Sequence, residues 1–150
     1  AILSSAWFEL AKQPNILEFA MAKVMNKIAP GFTQNSKINA NHLSNELSVC
    51  EAYITDPLNH DKISVRLFSD FYASGKWAIK NADKLPIETL LVHGADDAII
   101  SSHGTVEFTE NSKGLAKCKI FEYTKHEPHN DKTHETLFAY TLSWLESRLD

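Results

Sequence analysis

With 150 residues, the chain is long enough to form one domain with a buried core. Its apolar fraction of 43%, charged fraction of 23% and formal net charge of −4, without a basic stripe, are typical of a globular protein and argue against nucleic acid as a partner. No apolar run approaches the ~20 residues of a transmembrane helix. Because Cys50 and Cys118 follow no metal or redox spacing, we expect a cytoplasmic protein; a single disulfide between them is the alternative.

The first predicted element is a buried strand over residues 1–5, Ala-Ile-Leu-Ser-Ser. It starts at the first residue, with no charged leader and no initiator methionine. We therefore expect the sequence to be cut from the middle of a larger protein, with any targeting signal upstream. Such a strand would leave an open sheet edge at Ile2 and Leu3. We expect that edge to be covered by an upstream part of the same protein or by a second copy.

Residues 6–62 show no alternation of strands and helices and predict an inserted, loosely helical cap. Its best-defined part is a helix over residues 14–28, where apolar residues recur at helical spacing. A polar stretch follows over residues 33–48, with a short helix begun by Asn41 or Ser44.

The apolar stripe of the predicted cap helix is wider than an ordinary amphipathic face, and it has two interpretations. It is either plain core or a lid over an apolar substrate pocket, since it falls in the inserted part of the chain. A cap with this face also predicts peripheral contact with a membrane. The side chains predicted to line the pocket are Phe19, Met21 and Met25.

Residues 63–150 alternate between helices and strands and predict the core of an α/β domain. The order strand, cap, helix, strand, helix, strand, helix predicts a parallel sheet with crossover helices. The predicted elements are a helix from about Ser64 to Asn81, a strand over Glu88–Val92, a helix from Ser101 or Ser102 to about Asn111, a strand over Lys117–Tyr123 and a last helix begun by Asn130 or Asp131.

Asp97 and His126 each follow one of the predicted core strands. Because parallel strands end at one edge of the sheet, ~4.8 Å from their neighbours, the two side chains can meet there. A carboxylate that accepts the Nδ1 proton of a histidine leaves Nε2 to act as a general base. The order acid then base is the tail of the series nucleophile, Asp, His, although no Gly-x-Ser-x-Gly occurs in the chain.

Each member of this pair has rivals. Asp97 could instead be a plain turn residue, because Gly-Ala-Asp-Asp favours a turn. Asp96 competes as the acid, and His129 is the chief rival as the base. A metal site built from His93, Asp97, His126 and His129 has no fixed third ligand, and a magnesium site at the paired aspartates has no third acid. We therefore expect no metal.

The sequence resembles the C-terminal half of an α/β-hydrolase of the monoacylglycerol lipase and lysophospholipase group, also classed as serine aminopeptidase-like. Ala6 stands where the family usually has a proline. The segments that carry the resemblance are Ile2–Ala6, Glu51–His60 with its Asp-Pro-Leu, Lys62–Leu67, Leu91–Asp97 with its Gly-x-x-Asp, His126–Asp131 with its His-Glu, and Trp144-Leu145.

The resemblance implies the C-terminal portion of an α/β-hydrolase fold, with Asp97 and His126 as the acid and base of a Ser-His-Asp triad. It implies an ester or lipid substrate with an acyl chain and no cofactor. The implied serine and oxyanion donors are not in this sequence, so these residues alone should hydrolyse almost nothing.

Two alternatives stay open. One is an α/β-hydrolase with a carboxylate nucleophile, as in haloalkane dehalogenases and epoxide hydrolases, although the cap pattern argues against it. The other is a half-hydrolase that binds a partner and has no catalytic activity.

Overall fold

The computed structural model describes residues 1–149, in which helices pack against a small parallel sheet. The strands are β1 (Ile2–Ser4), β2 (Thr33–Asn35), β3 (Lys62–Ser64), β4 (Thr89–Gly94) and β5 (Ala116–Phe121). The α-helices are α1 (Ile16–Ile28), α2 (Leu47–Thr55), α3 (Val65–Lys80), α4 (Ser102–Asn111) and α5 (His134–Glu146).

The main sheet has the strand order β1-β4-β5, with both pairings parallel. Leu91 of the central strand is paired with Leu3 on one side and with Cys118 on the other. The predicted parallel α/β arrangement is confirmed. Within residues 1–149, β1 is an edge strand of this sheet. That an upstream segment or a second copy covers this edge stays a prediction.

Strand β4 is buried along its whole length because both of its faces are covered. Leu91 packs on one face with a cluster that includes Phe8 and Phe108, whose rings stack with centroids 4.5 Å apart. Leu90 and Val92 pack on the other face. Fully burying one such aliphatic side chain stabilises a fold by about 1.5–3 kcal/mol, so this strand is a rigid base for the groups at its end.

The segment predicted as a cap contacts the core at its start. Phe8 is a member of the core cluster, and Leu10 forms an isolated antiparallel bridge with Ile100. The two short strands β2 and β3 form a separate antiparallel pair that the sequence did not predict. Its three-residue strands are too short to show alternation. The exact limits of the cap stay a prediction.

Helix α1 confirms the helix predicted over residues 14–28 and begins at Ile16, after an Asn15 cap. In the structure of residues 1–149, no residue of α1 is buried, so its apolar stripe is not part of the core. Leu17 is 71% exposed and Met21 is 60% exposed. No helix within the described residues is both long enough and apolar enough to span a membrane.

Two predicted boundaries near the end of the chain were wrong. Strand β5 ends at Phe121, because Tyr123 adopts a left-handed conformation with φ 56° and turns the chain. Helix α5 begins at His134 and is not begun by Asn130 or Asp131. The Asp131 carboxylate instead accepts a hydrogen bond from the Lys125 backbone, 2.8 Å away.

Candidate active site

Asp97 lies in the turn that follows the central strand, and its side chain is fully buried. Its Oδ1 atom accepts hydrogen bonds from the backbone N–H groups of Ile99 and Ile100, at 2.8 Å and 2.9 Å. These two bonds orient the carboxylate so that Oδ2 is the oxygen presented to side chains.

His126 reaches Asp97 because the loop after β5 crosses the end of β4. Asp96 donates its backbone N–H to the carbonyl of Thr124 at 2.9 Å. Gly94 permits this close approach, since a Cβ at that position would lie 2.2 Å from the carbonyl oxygens of both Thr124 and Lys125. The glycine of the Gly-x-x-Asp segment therefore has a packing role in bringing the histidine loop to the acid.

The Nδ1 atom of His126 lies 2.8 Å from Oδ2 of Asp97. The histidine side chain is 25% exposed, whereas the aspartate side chain is not exposed at all. With Nδ1 committed to the carboxylate, Nε2 is the nitrogen left for proton transfer. The geometry is that of an imidazole oriented by a buried acid.

A second imidazole, which the sequence reasoning did not assign to the pair, contacts the same oxygen. Nε2 of His93 lies 2.9 Å from Oδ2 of Asp97, and its Nδ1 lies 2.8 Å from Oγ1 of Thr105. The side chain of His93 is fully buried. The sequence did carry a signal for this contact, since His93 is a polar residue inside the apolar run of β4. A buried polar group needs hydrogen-bond partners.

The pKa of Asp97 is set by two opposing effects. Burial raises it, because the charged form is desolvated, but hydrogen bonds from His126, His93 and the Ile100 backbone outweigh burial and hold the pKa well below its usual range. The carboxylate therefore stays ionised in its buried position, as an acid that stabilises an imidazolium must.

The loop that carries His126 is also held from the other side, by the segment before α2. The backbone N–H of His126 donates to the carbonyl of His42 at 3.3 Å, and that of Glu127 donates to the carbonyl of Leu43 at 2.8 Å. The Lys125 ammonium group donates to two further carbonyls of the same segment. The predicted cap segment thus supports the histidine loop directly.

The rivals of the pair lie elsewhere. Asp96 is exposed, and His129 is exposed in a short 3-10 helix over Pro128–Asn130. Neither side chain is hydrogen-bonded to Asp97 or His126 in the described residues. Within residues 1–149, no group of three or more His, Cys, Asp or Glu side chains is arranged to hold a metal.

The three residues predicted to line a substrate pocket do not line one groove together. Phe19 lines a groove of about 620 Å³ between α1 and α3, where its ring packs against Tyr72 with centroids 5.2 Å apart. Lys23 and Lys76 also line it. Met21 and Met25 do not line this groove. Their role as pocket residues stays a prediction.

Comparison with known proteins places the chain in a family. The family model described as Serine aminopeptidase, S33, matches residues 1–133. The chain is 29% identical, over 100 residues, to a putative monoglyceride lipase of Schizosaccharomyces pombe, covering 67% of this chain and 26% of the relative. It is 25% identical, over 136 residues, to a monoglyceride lipase homolog of Monkeypox virus, covering 89% of this chain and 49% of the relative.

Solved structures give the same result. A monoacylglycerol lipase of Paleococcus ferrophilus superposes with a TM-score of 0.89 at 29% identity, covering 97% of this chain and 58% of that one. A Saccharomyces cerevisiae monoglyceride lipase, solved with a substrate analog, superposes with a TM-score of 0.84 at 20% identity, covering 97% of this chain and 52% of that one. This second likeness concerns the fold alone.

The chain therefore belongs to the serine aminopeptidase, S33, family, and its fold is part of an α/β-hydrolase fold of the monoacylglycerol lipase type. It spans about half or less of the two curated relatives named above.

Proposed function

We propose that this chain supplies the acid and the base of a Ser-His-Asp triad in a carboxylic ester hydrolase. The observation that carries the proposal is the 2.8 Å contact between Nδ1 of His126 and the buried Oδ2 of Asp97, at the carboxyl ends of neighbouring parallel strands. Membership of the family and the likeness to monoacylglycerol lipases support it.

The nucleophilic serine and the oxyanion donors would come from residues that precede Ala1 in the complete protein. The serine oxygen attacks the ester carbonyl while Nε2 of His126 takes the serine proton. The histidine then gives this proton to the leaving alcohol, and water, deprotonated by the same nitrogen, releases the acid. Throughout, Asp97 holds the ring and stabilises the imidazolium form.

The proposed substrates are esters of one fatty acyl chain, namely monoacylglycerols or lysophospholipids. The aromatic groove beside Phe19 and the exposed apolar stripe of α1 suit such amphiphiles, since both present apolar surface. The same stripe supports the expected peripheral contact with a lipid surface.

Labelling with a fluorophosphonate probe tests the proposal. In the complete protein we expect one serine to react. His126→Ala should slow the reaction by about 10²–10⁴-fold, because the general base is lost. His129→Ala is the matched control, since that exposed histidine is not bonded to Asp97, and it should leave the rate unchanged.

Two outcomes would contradict the proposal. A folded complete protein that does not react with the probe, and whose ligand binding is indifferent to His126→Ala, would be a binding module. An ester formed on a carboxylate during turnover, detected by mass spectrometry, would indicate the dehalogenase or epoxide hydrolase type.

A further inference from the structure

The proposed triad uses one imidazole, yet Oδ2 of Asp97 contacts two. His126 approaches it at 2.8 Å and His93 at 2.9 Å. The two histidines differ in their surroundings, because His93 is fully buried whereas the side chain of His126 is 25% exposed. The mechanism described above assigns no role to His93.

The partners of His93 show which of its ring nitrogens donates the hydrogen bond to Asp97. Nε2 faces only acceptors, namely Oδ2 of Asp97 and the carbonyl of Ile100 at 3.3 Å. Nε2 must therefore be a donor. The hydroxyl of Thr105, 2.8 Å from Nδ1, can donate to that nitrogen and fixes this tautomer.

His93 and its partner both lie in regular secondary structure, whereas His126 does not. It lies in the central strand β4, and its partner Thr105 is buried in helix α4. His126 lies on a loop beyond the end of β5. The position of this donor is therefore set by the packing of a central strand against a helix.

We propose that His93 is a positioning residue: a fixed N–H donor that holds Oδ2 of Asp97 in place for His126. The proposal deepens the proposed function and rests on it for its catalytic meaning. With two backbone donors on Oδ1 and His93 on Oδ2, the buried carboxylate has three hydrogen bonds that do not depend on His126. The acid thus stays ionised and correctly oriented between the two proton transfers.

Three substitutions at position 93 distinguish a role as a hydrogen-bond donor to Asp97 from a role in filling space. In His93→Gln the amide nitrogen falls near the place of Nε2, so the bond to Asp97 can form. In His93→Asn the amide nitrogen falls one bond short, near the place of Nδ1. His93→Leu fills the space without a donor. The comparison of Gln with Asn decides the question even if the leucine variant does not fold.

The rate of fluorophosphonate labelling in the complete protein is the first measurement. We expect His93→Gln to stay within about threefold of the unsubstituted protein, and His93→Asn and His93→Leu to lose on the order of tenfold or more, the size expected for a hydrogen bond to a charged group. Equal rates for Gln, Asn and Leu, whether normal or reduced, would overturn the proposal.

The second measurement does not depend on the serine. The downfield proton resonance of the His126 Nδ1–H group reports its bond to Asp97, and it should persist in His93→Gln but broaden in His93→Asn. If the unsubstituted protein does not label but the resonances behave as expected, the proposed function fails and the positioning role stands. If it labels and the Asn variant matches it in both measurements, the positioning role fails alone.

Discussion

The buried carboxylate of Asp131 binds Asn45 twice: Oδ1 accepts from its backbone N–H at 3.1 Å and Oδ2 from its side-chain amide at 3.2 Å. Oδ2 also accepts the backbone N–H of Lys125, the residue before His126, at 2.8 Å. One carboxylate therefore joins the segment before α2 to the loop that carries the histidine. The Ser44 hydroxyl, which donates to the carbonyl of Asn130 at 2.9 Å, adds a further bond between the same segments.

Asp131→Asn should destabilise the protein and slow its labelling. The amide keeps the shape but loses one acceptor oxygen, so partly buried N–H groups of Asn45 and Lys125 are left without a full partner. Leaving such a group unsatisfied costs about 1–3 kcal/mol, which urea unfolding would measure. Glu122→Gln, at an exposed residue, is the matched control and should change neither quantity. Equal unfolding midpoints for the two variants would contradict this role.

Gly94→Ala should separate the ends of β4 and β5. The added Cβ would lie 2.2 Å from two carbonyl oxygens of the histidine loop, a distance that backbone atoms cannot accept. Overpacking of this kind costs about 1–3 kcal/mol, and the shift of His126 should also reduce probe labelling. Gly31→Ala is the control, because nothing lies within 4 Å of its added Cβ. Normal labelling by the Gly94 variant would show that the loop tolerates displacement.

The exposed stripe of α1 predicts reversible binding to lipid vesicles. Leu17 is 71% exposed, and replacing it with Glu removes an apolar side chain whose burial is worth about 1.5–3 kcal/mol, so vesicle binding should weaken about tenfold. Leu58→Glu is the control, since this residue is 88% exposed but lies outside α1. Co-sedimentation with vesicles measures both. An equal effect of the two substitutions would place the contact elsewhere.

The sequence predicted the sheet and the meeting of Asp97 with His126 because strand patterns are local and parallel strands end together. The apolar run at β4 and the glycine that follows it were enough to place the acid. The histidine followed from the next strand, β5. The catalytic roles of both residues stay predictions.

The sequence did not predict the contacts that depend on residues far apart in the chain. Asp131 was expected to begin the last helix, because an isolated Asp before a helical stripe is a common cap. Its carboxylate is instead taken by Asn45, which is 86 residues away. His93 was weighed only as a metal ligand. Its contact with Thr105 could not be predicted, since the two residues become neighbours only when α4 packs on β4.

The ionisation of Asp97 predicts how stability depends on pH. Because its pKa in the folded protein is held below the unfolded value of ~3.9, its stabilising contribution is complete above that value and is lost as the pH falls through the folded pKa. Asp97→Asn should therefore lower the free energy of unfolding by about 3 kcal/mol at neutral pH, the cost of breaking a buried pair.

The difference between Asp97→Asn and the unsubstituted protein should shrink as the pH falls below about 4, because the Asp97 carboxyl then takes up a proton in the unfolded state while it stays ionised in the folded state. Urea unfolding at a series of pH values measures it. Asp96→Asn is the control, because that neighbouring carboxylate is exposed and its substitution should shift stability little at any pH. A difference that stayed constant down to the lowest pH at which the protein folds would mean that the charge of Asp97 does not stabilise the fold, and that only its shape matters to His93 and His126.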